Sequence, residues 1–212
     1  MQKVFIAVPS RDHWPAEFGM SAWMLQAPEG CQLIPANEKG SLVYMARNNL
    51  ARLAIKAEAD WVLWLDDDMV FAPDLLKRMM SVCQEDDISF LTAVCFRRRP
   101  PYTPCLFDRL DRMEHGASYT TLMSVPEGRF KVGGCGFAGV LLSTDVLMSV
   151  AAKFGGRMFD PIEGMGEDVS FCWRARQCGY DIWCDSSIEM GHMGDMIITR
   201  AFFEAYSEET QP

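Results

Sequence analysis

The stretch "WVLWLDDDMVFAPD" (residues 61–74) constrains the fold of this chain more than any other. Five large or branched apolar residues stand in a row with no polar alternation. A run of that length and composition is a strand buried on both faces, so it implies a sheet covered by helices on each side. Three aspartates then follow at once. In open sheets of this kind, ligands bind at the carboxyl ends of the strands. Asp66, Asp67 and Asp68 therefore fall where a ligand would sit.

The surrounding sequence repeats the theme. "KVFIAVPS" reads as a buried strand and "PAEFGMSAWMLQA" as a helix. "CQLIP" reads as a second strand, and "SLVYMARNNLARLAIKAEA" as the clearest helix. That helix has Ser41 as a candidate cap, and Leu42, Met45, Leu50, Leu53, Ala54 and Ala57 form its expected apolar stripe. "PDLLKRMMSVCQE" is a helix with proline in its first turn, and "ISFLTAVCF" a further buried strand. Strand and helix alternating over about 95 residues predict a mostly parallel sheet. The second half is expected to be more mixed. It offers shorter strands at "ASYTTLMSV", "GRFKVGG" and "GVLLST", helices at about 144–154 and 166–179, and a last strand at "YDIWCDSS". One α/β domain over residues 1–212 is expected, with a Rossmann-like first lobe (1–95) and a mixed α+β second lobe (96–212).

Composition excludes several classes. With 212 residues the chain can bury a core without staples, and its formal charge of -9 argues against a nucleic-acid partner. No apolar run is long enough for a membrane span or a signal-peptide core, so no integral membrane segment is expected. The 8 cysteines form no CxxC pair, which fits reduced thiols and a cytoplasmic location.

Strand alternation would point Asp66 and Asp68 to one side and Asp67 to the other. Two converging carboxylates repel unless one is protonated or a cation binds. Hard oxygen ligands suit Mg²⁺ or Mn²⁺, which also take phosphate oxygens. The alternative is a solvated turn of capping aspartates. Elsewhere, "GGCGFAG" (133–139) is a close-approach loop or a tight turn. "GED" places Glu167 and Asp168 at a helix N-terminus, either as dipole partners or as a general base. His192 lies in the Gly-flanked "GHMG", as a structural imidazole or a metal ligand. "FRRRPPYTP" (96–104) is the basic run of an acidic chain: a solvated loop, or an anion-binding or gating loop over the ligand.

In their order and spacing, "ARNNLA", "WVLWLDDDMVFAPDLL", "GGCGFAGVLL", "GEDVSFCWRARQCGY" and "GHMG" resemble the GT-A glycosyltransferases of the family 2 type. The resemblance implies a nucleoside-diphosphate sugar, UDP- or GDP-linked, as donor and a glycan or glycoconjugate as acceptor. It also implies Mn²⁺ or Mg²⁺ held by Asp66, Asp68 and His192. Pro9, Ser10, Arg11, Arg47, Asn48, Asp66 and Asp67 would bind the nucleotide, and Gly134 would shape the sugar pocket. Asp168 would be the base of an inverting transfer, with Glu167 beside it. A partner domain or subunit could complete the acceptor site. The alternatives are a haloacid-dehalogenase-type phosphatase, whose strand motif "LDDDMV" matches, a sugar nucleotidyltransferase, and a non-catalytic nucleotide- or carbohydrate-binding module.

Overall fold

A computed structural model gives the fold, and it describes residues 1–40, 42–194 and 197–210. The first half runs β1 (Gln2–Ser10), α1 (Ala16–Met24), β2 (Cys31–Lys39), α2 (Val43–Lys56), β3 (Trp61–Leu65), β4 (Met69–Val70), α3 (Leu75–Glu85) and β5 (Phe90–Val94). Then come β6 (Leu106–Arg112), β7 (Ala117–Thr121), β8 (Arg129–Val132), β9 (Gly134–Cys135), β10 (Gly139–Ser143) and α4 (Thr144–Phe154). The chain closes with α5 (Glu167–Gln177), β11 (Ile182–Glu189), β12 (Gly191–Met193), β13 (Ile197–Ile198) and α6 (Arg200–Thr210).

The central sheet has seven strands in the order β2-β1-β3-β10-β5-β11-β8. Strands β2, β1, β3, β5 and β11 share one direction, while β10 and β8 run against them. The mixed, mostly parallel sheet matches the expectation. The position of "GVLLST" does not follow from its place in the second half. As β10 it slots between β3 and β5, pairing Val140 with Trp64 and with Thr92. Its first four residues are fully buried, and only the centre of a covered sheet hides both faces of a strand. The sheet is thus shared by both halves of the chain, and no seam divides it at residue 95.

Two apolar layers cover the two faces. One gathers Phe5, Trp64, Phe90, Phe137, Phe159 and Phe171, with Phe159 and Phe171 stacked at 4.4 Å. The other gathers Val4, Ile6, Leu63, Met69, Leu76 and Met79 beneath α1 and α3.

Helix α2 differs from its expected stripe. Leu42, Met45 and Leu53 are 49, 52 and 44 % exposed, while Ala46, Arg47, Asn48, Leu50, Ala51 and Ala54 are buried. Small side chains on the buried face let the helix lie close on β1, where long ones would hold it off. The turn of the helix that this requires carries Arg47 inward. Ser41, the candidate cap, lies outside the described residues, and the Leu42 position makes no side-chain cap bond. Pro73 stands two residues before α3 rather than within its first turn.

Candidate active site

Strand β3 ends at Leu65, and the three aspartates form a turn into β4. Strand alternation therefore does not govern them, and all three line one cleft. That cleft holds about 270 Å³ and is bounded by Pro9, Ser10, Arg11, Gly40, Val43, Ala46, Arg47, Asp66, Asp67, Asp68 and Glu167. It opens at the carboxyl ends of the adjacent parallel strands β1 and β3, the place expected for a ligand.

Arg47 is the internal cation of the site. It is 2 % exposed. Its Nη2 donates to Asp66 Oδ1 at 2.8 Å, and its Nε stands 3.5 Å from Glu167 Oε1. The second contact is a charge pairing rather than a hydrogen bond. The guanidinium also lies over the rings of Phe137 and Trp64, at 5.4 and 6.0 Å. Nη1 and Nε are buried without a hydrogen-bond partner among the described residues. Buried donors of a guanidinium normally find acceptors, so these fit an incoming oxygen ligand.

Burial pushes Asp66 up to about 6, with Asp68 adding to the rise while Arg47 opposes it. Asp67 is also raised, first by burial and then by Asp68, with Arg11 acting against. Asp68 behaves differently. Burial would raise it, but the hydrogen bond and charge of His192, with Arg98, hold it below the usual carboxylate range.

Strand pairing explains the Asp68–His192 contact. β12 runs antiparallel to β4, with His192 opposite Met69, and Met193 N–H donates to the Asp68 carbonyl at 2.8 Å. His192 Nε2 comes to 3.3 Å from Asp68 Oδ2, and Nδ1 to 2.8 Å from the Phe96 carbonyl. Arg98 Nη1 reaches the same Asp68 oxygen at 2.7 Å. Burial would lower His192, yet its bonds to Asp68, Cys105 and the Phe96 carbonyl bring it up to about 10.

Glu167 and Asp168 open α5 after Gly166, where the helix N-terminus favours negative charge. Only Glu167 lines the cleft. Asp168 Oδ1 accepts from Val169 N–H at 2.7 Å, and its Oδ2 lies beside Gly136. Burial first, then Glu167, raises Asp168 to about 6.

Pro9, Ser10, Arg11, Arg47, Asp66, Asp67, Asp68 and Glu167 thus converge, with His192 reaching the cleft through Asp68. Three expected residues do not: Asp168, which lies behind Glu167 beside Gly136, and Asn48 and Gly134. Asn48 is a buried structural amide: its Nδ2 donates to Asp160 Oδ1 at 2.9 Å and its Oδ1 accepts from Phe159 N–H at 2.9 Å. Being next to Arg47 in sequence, it points about 100° away around the helix, onto the segment before α5. Gly134 faces the core, where a Cβ would meet Leu110 Cδ2 at 3.2 Å and Cys172 Cβ at 3.4 Å. Gly136 is the glycine of that loop beside Asp168, with a Cβ position 3.8 Å from its Oδ2. Asp66 Oδ1 is bonded to Arg47 within the same cleft. Sequence reading passed over Gly40, Val43 and Ala46 as individual residues, and within the glycine loop it singled out Gly134 rather than Gly136. Arg98 and Cys105 also escaped as individual residues, although the basic run containing Arg98 stood out.

All 8 cysteines are free thiols, as their spacing suggested. No described helix is long and apolar enough to cross a membrane.

Comparison with known proteins agrees with this architecture. No curated protein matches the chain. Among solved structures, the crystal structure of A197 from STIV superposes with a TM-score of 0.59 at 16 % identity, covering 92 % of this chain and 87 % of that one. At that identity the likeness speaks for the fold alone. The sequence model described as glycosyltransferase like family 2 matches residues 21–207, nearly the whole chain and all the cleft residues except Pro9, Ser10 and Arg11. A glycosyl-transfer family on a GT-A-type fold leaves the phosphatase alternative without support, and the chain belongs to the glycosyltransferase family 2-like proteins.

Proposed function

We propose that the chain transfers a sugar from a UDP- or GDP-linked donor to an acceptor hydroxyl with inversion, using Asp168 as base and a divalent cation held at Asp68 and His192. The observation that carries this reading is the convergence of Asp66, Asp67, Asp68 and Glu167 with the buried, under-bonded Arg47 in one cleft.

The donor atoms at Asp68 fit Mn²⁺ or Mg²⁺. A divalent cation would take the place of the proton that His192 Nε2 shares with Asp68 Oδ2, 3.3 Å away, leaving Nδ1–H to donate to the Phe96 carbonyl and Nε2 to face the ion. No three His, Cys, Asp or Glu side chains among the described residues form a metal cluster. A two-ligand site suits ions that keep several waters and bind substrate phosphates. Such a cation would stabilise charge growing on the departing diphosphate.

The chain's own groups supply the rest. Arg47 offers its unpaired N–H groups to donor oxygens, and Pro9, Ser10 and Arg11 wall the nucleoside end. Glu167 is tied to the Arg47 charge. Asp168, raised to about 6, has an affinity suited to taking the acceptor hydroxyl's proton near neutral pH. The carboxylate accepts that proton as the hydroxyl oxygen bonds the anomeric carbon, and the bond to the nucleoside diphosphate breaks on the opposite face.

The test is a thermal-shift panel of UDP-, GDP- and dTDP-sugars with Mn²⁺, followed by nucleotide release from the best binder. Stabilisation by one nucleotide class and release that Asp168→Asn removes support the reading. Binding without hydrolysis or transfer to any acceptor would leave a non-catalytic module instead.

A further inference from the structure

Asp68 is a wall shared by two chambers of opposite electrostatic character. The first is the cleft described above, with four carboxylates against Arg11 and Arg47. The second, of about 460 Å³, is lined by Pro15, Asp68, Arg98, Arg99, Met193 and Gly194. Among the described residues that line it, the one carboxylate is Asp68, already engaged by His192 and Arg98. Arg99 makes no ion pair or side-chain hydrogen bond among the described residues. The first chamber attracts cations and the second an anion.

The loop that presents these arginines is built rather than loose. Arg97 N–H donates to the Thr103 carbonyl at 2.9 Å, and Tyr102 N–H to the Arg99 carbonyl at 3.0 Å. Phe96 and Pro104 bridge its base. Phe96 stacks on Phe203 of α6, and Tyr102 sets its edge against Phe202, both at 4.9 Å. A loop pinned at both ends loses little entropy when its arginines engage a ligand.

We propose that the acceptor of this transferase carries an oxyanion, a phosphate or a carboxylate, which docks on Arg99 and Arg98 across Asp68 from the nucleotide. This inference rests on the transfer reading above and names the class of its second substrate. Planar guanidinium forks match both oxyanions through paired N–H···O bonds, so the shared chemistry is the oxyanion itself.

Titration calorimetry on the full chain tests it with four probes: inorganic phosphate, glucose 6-phosphate, glucuronate and neutral glucose. UDP and GDP with Mn²⁺ serve as a parallel series. At least one oxyanion probe is expected to bind and glucose not, and the tighter of glucose 6-phosphate and glucuronate identifies the anion. Arg99→Glu should weaken that probe by about tenfold or more, and Arg99→Ala by less, while nucleotide affinity moves by under about twofold. The proposal is overturned if no oxyanion probe binds, or if both variants bind it as the parent does. It is equally overturned if nucleotide affinity falls as far as probe affinity, for the arginines would then serve the donor. Arg99-dependent probe binding without any nucleotide binding would uphold the anion site and refute the donor reading instead.

Discussion

Replacing Arg47 with methionine keeps an unbranched stem but removes the guanidinium that sits among Asp66, Glu167 and Asp168 and over the Phe137 and Trp64 rings. The lost interactions are the 2.8 Å bond to Asp66 and the 3.5 Å pairing with Glu167. Removing one partner of a buried ion pair costs about 3–5 kcal/mol, because the other charge is left uncompensated. With an unfolding entropy of about 2.1 cal/mol/K per residue, 212 residues give about 0.45 kcal/mol/K, so the melting temperature should fall by about 7–11 °C near neutral pH. The sign of the pH effect follows from the two raised carboxylates. Asp66 and Asp168 both stand at about 6 in the folded protein, above the 3.8 of an unperturbed aspartate. Between those values the folded state holds more protons than the unfolded one, so stability falls as pH rises toward about 6. Without Arg47 both groups hold their protons to higher pH still. The deficit of the variant should therefore be largest at pH 8 and shrink at pH 5. Scanning fluorimetry of both proteins across that range measures it. A loss under about 1 kcal/mol, or one that grows as the pH falls, would refute the view that Arg47 neutralises this cluster.

The other expectations are simpler. Asp168→Asn should lower transfer by about 10²–10⁴-fold while nucleotide binding persists, and the parent's rate should climb with pH through about 6 as Asp168 loses its proton; a rate flat from pH 5 to 8 would exclude it as the base. Asn48→Ala should destabilise by about 1–3 kcal/mol, since it strands the Phe159 N–H, yet leave nucleotide affinity near the parent's in titration calorimetry. Gly164→Ala should also destabilise, by about 1–3 kcal/mol in denaturant unfolding. Gly164 has φ +80°, and a Cβ there would lie 2.7 Å from the Ala117 nitrogen and 2.9 Å from Gly116 Cα, backbone atoms that cannot swing aside. Equal unfolding midpoints for Gly164→Ala and parent would show that the segment before α5 is not held by the β6–β7 turn.

Some of this protein was determined by sequence alone, because the signals are local. A run such as "WVLWL" can only satisfy its apolar side chains in a sheet covered twice, and glycines, acids and arginines declare themselves wherever they stand. The covered α/β sheet, the acidic strand terminus and the acid pair opening α5 were therefore legible. What tertiary structure decided is every relation between distant segments. Insertion of β10 between β3 and β5 depends on pairing partners about 50 residues or more apart, which no local pattern encodes. The rotation of α2 that buries Arg47 and leaves Leu42, Met45 and Leu53 in solvent was set by how closely alanines can approach β1. The same rotation sent Asn48 to Phe159 and Asp160 rather than to the cleft. Likewise the contact of His192 with Asp68 exists only because β12 pairs with β4. Residue chemistry is carried by the one-dimensional chain, whereas the meeting of two charges 124 positions apart is fixed by strand pairing and packing.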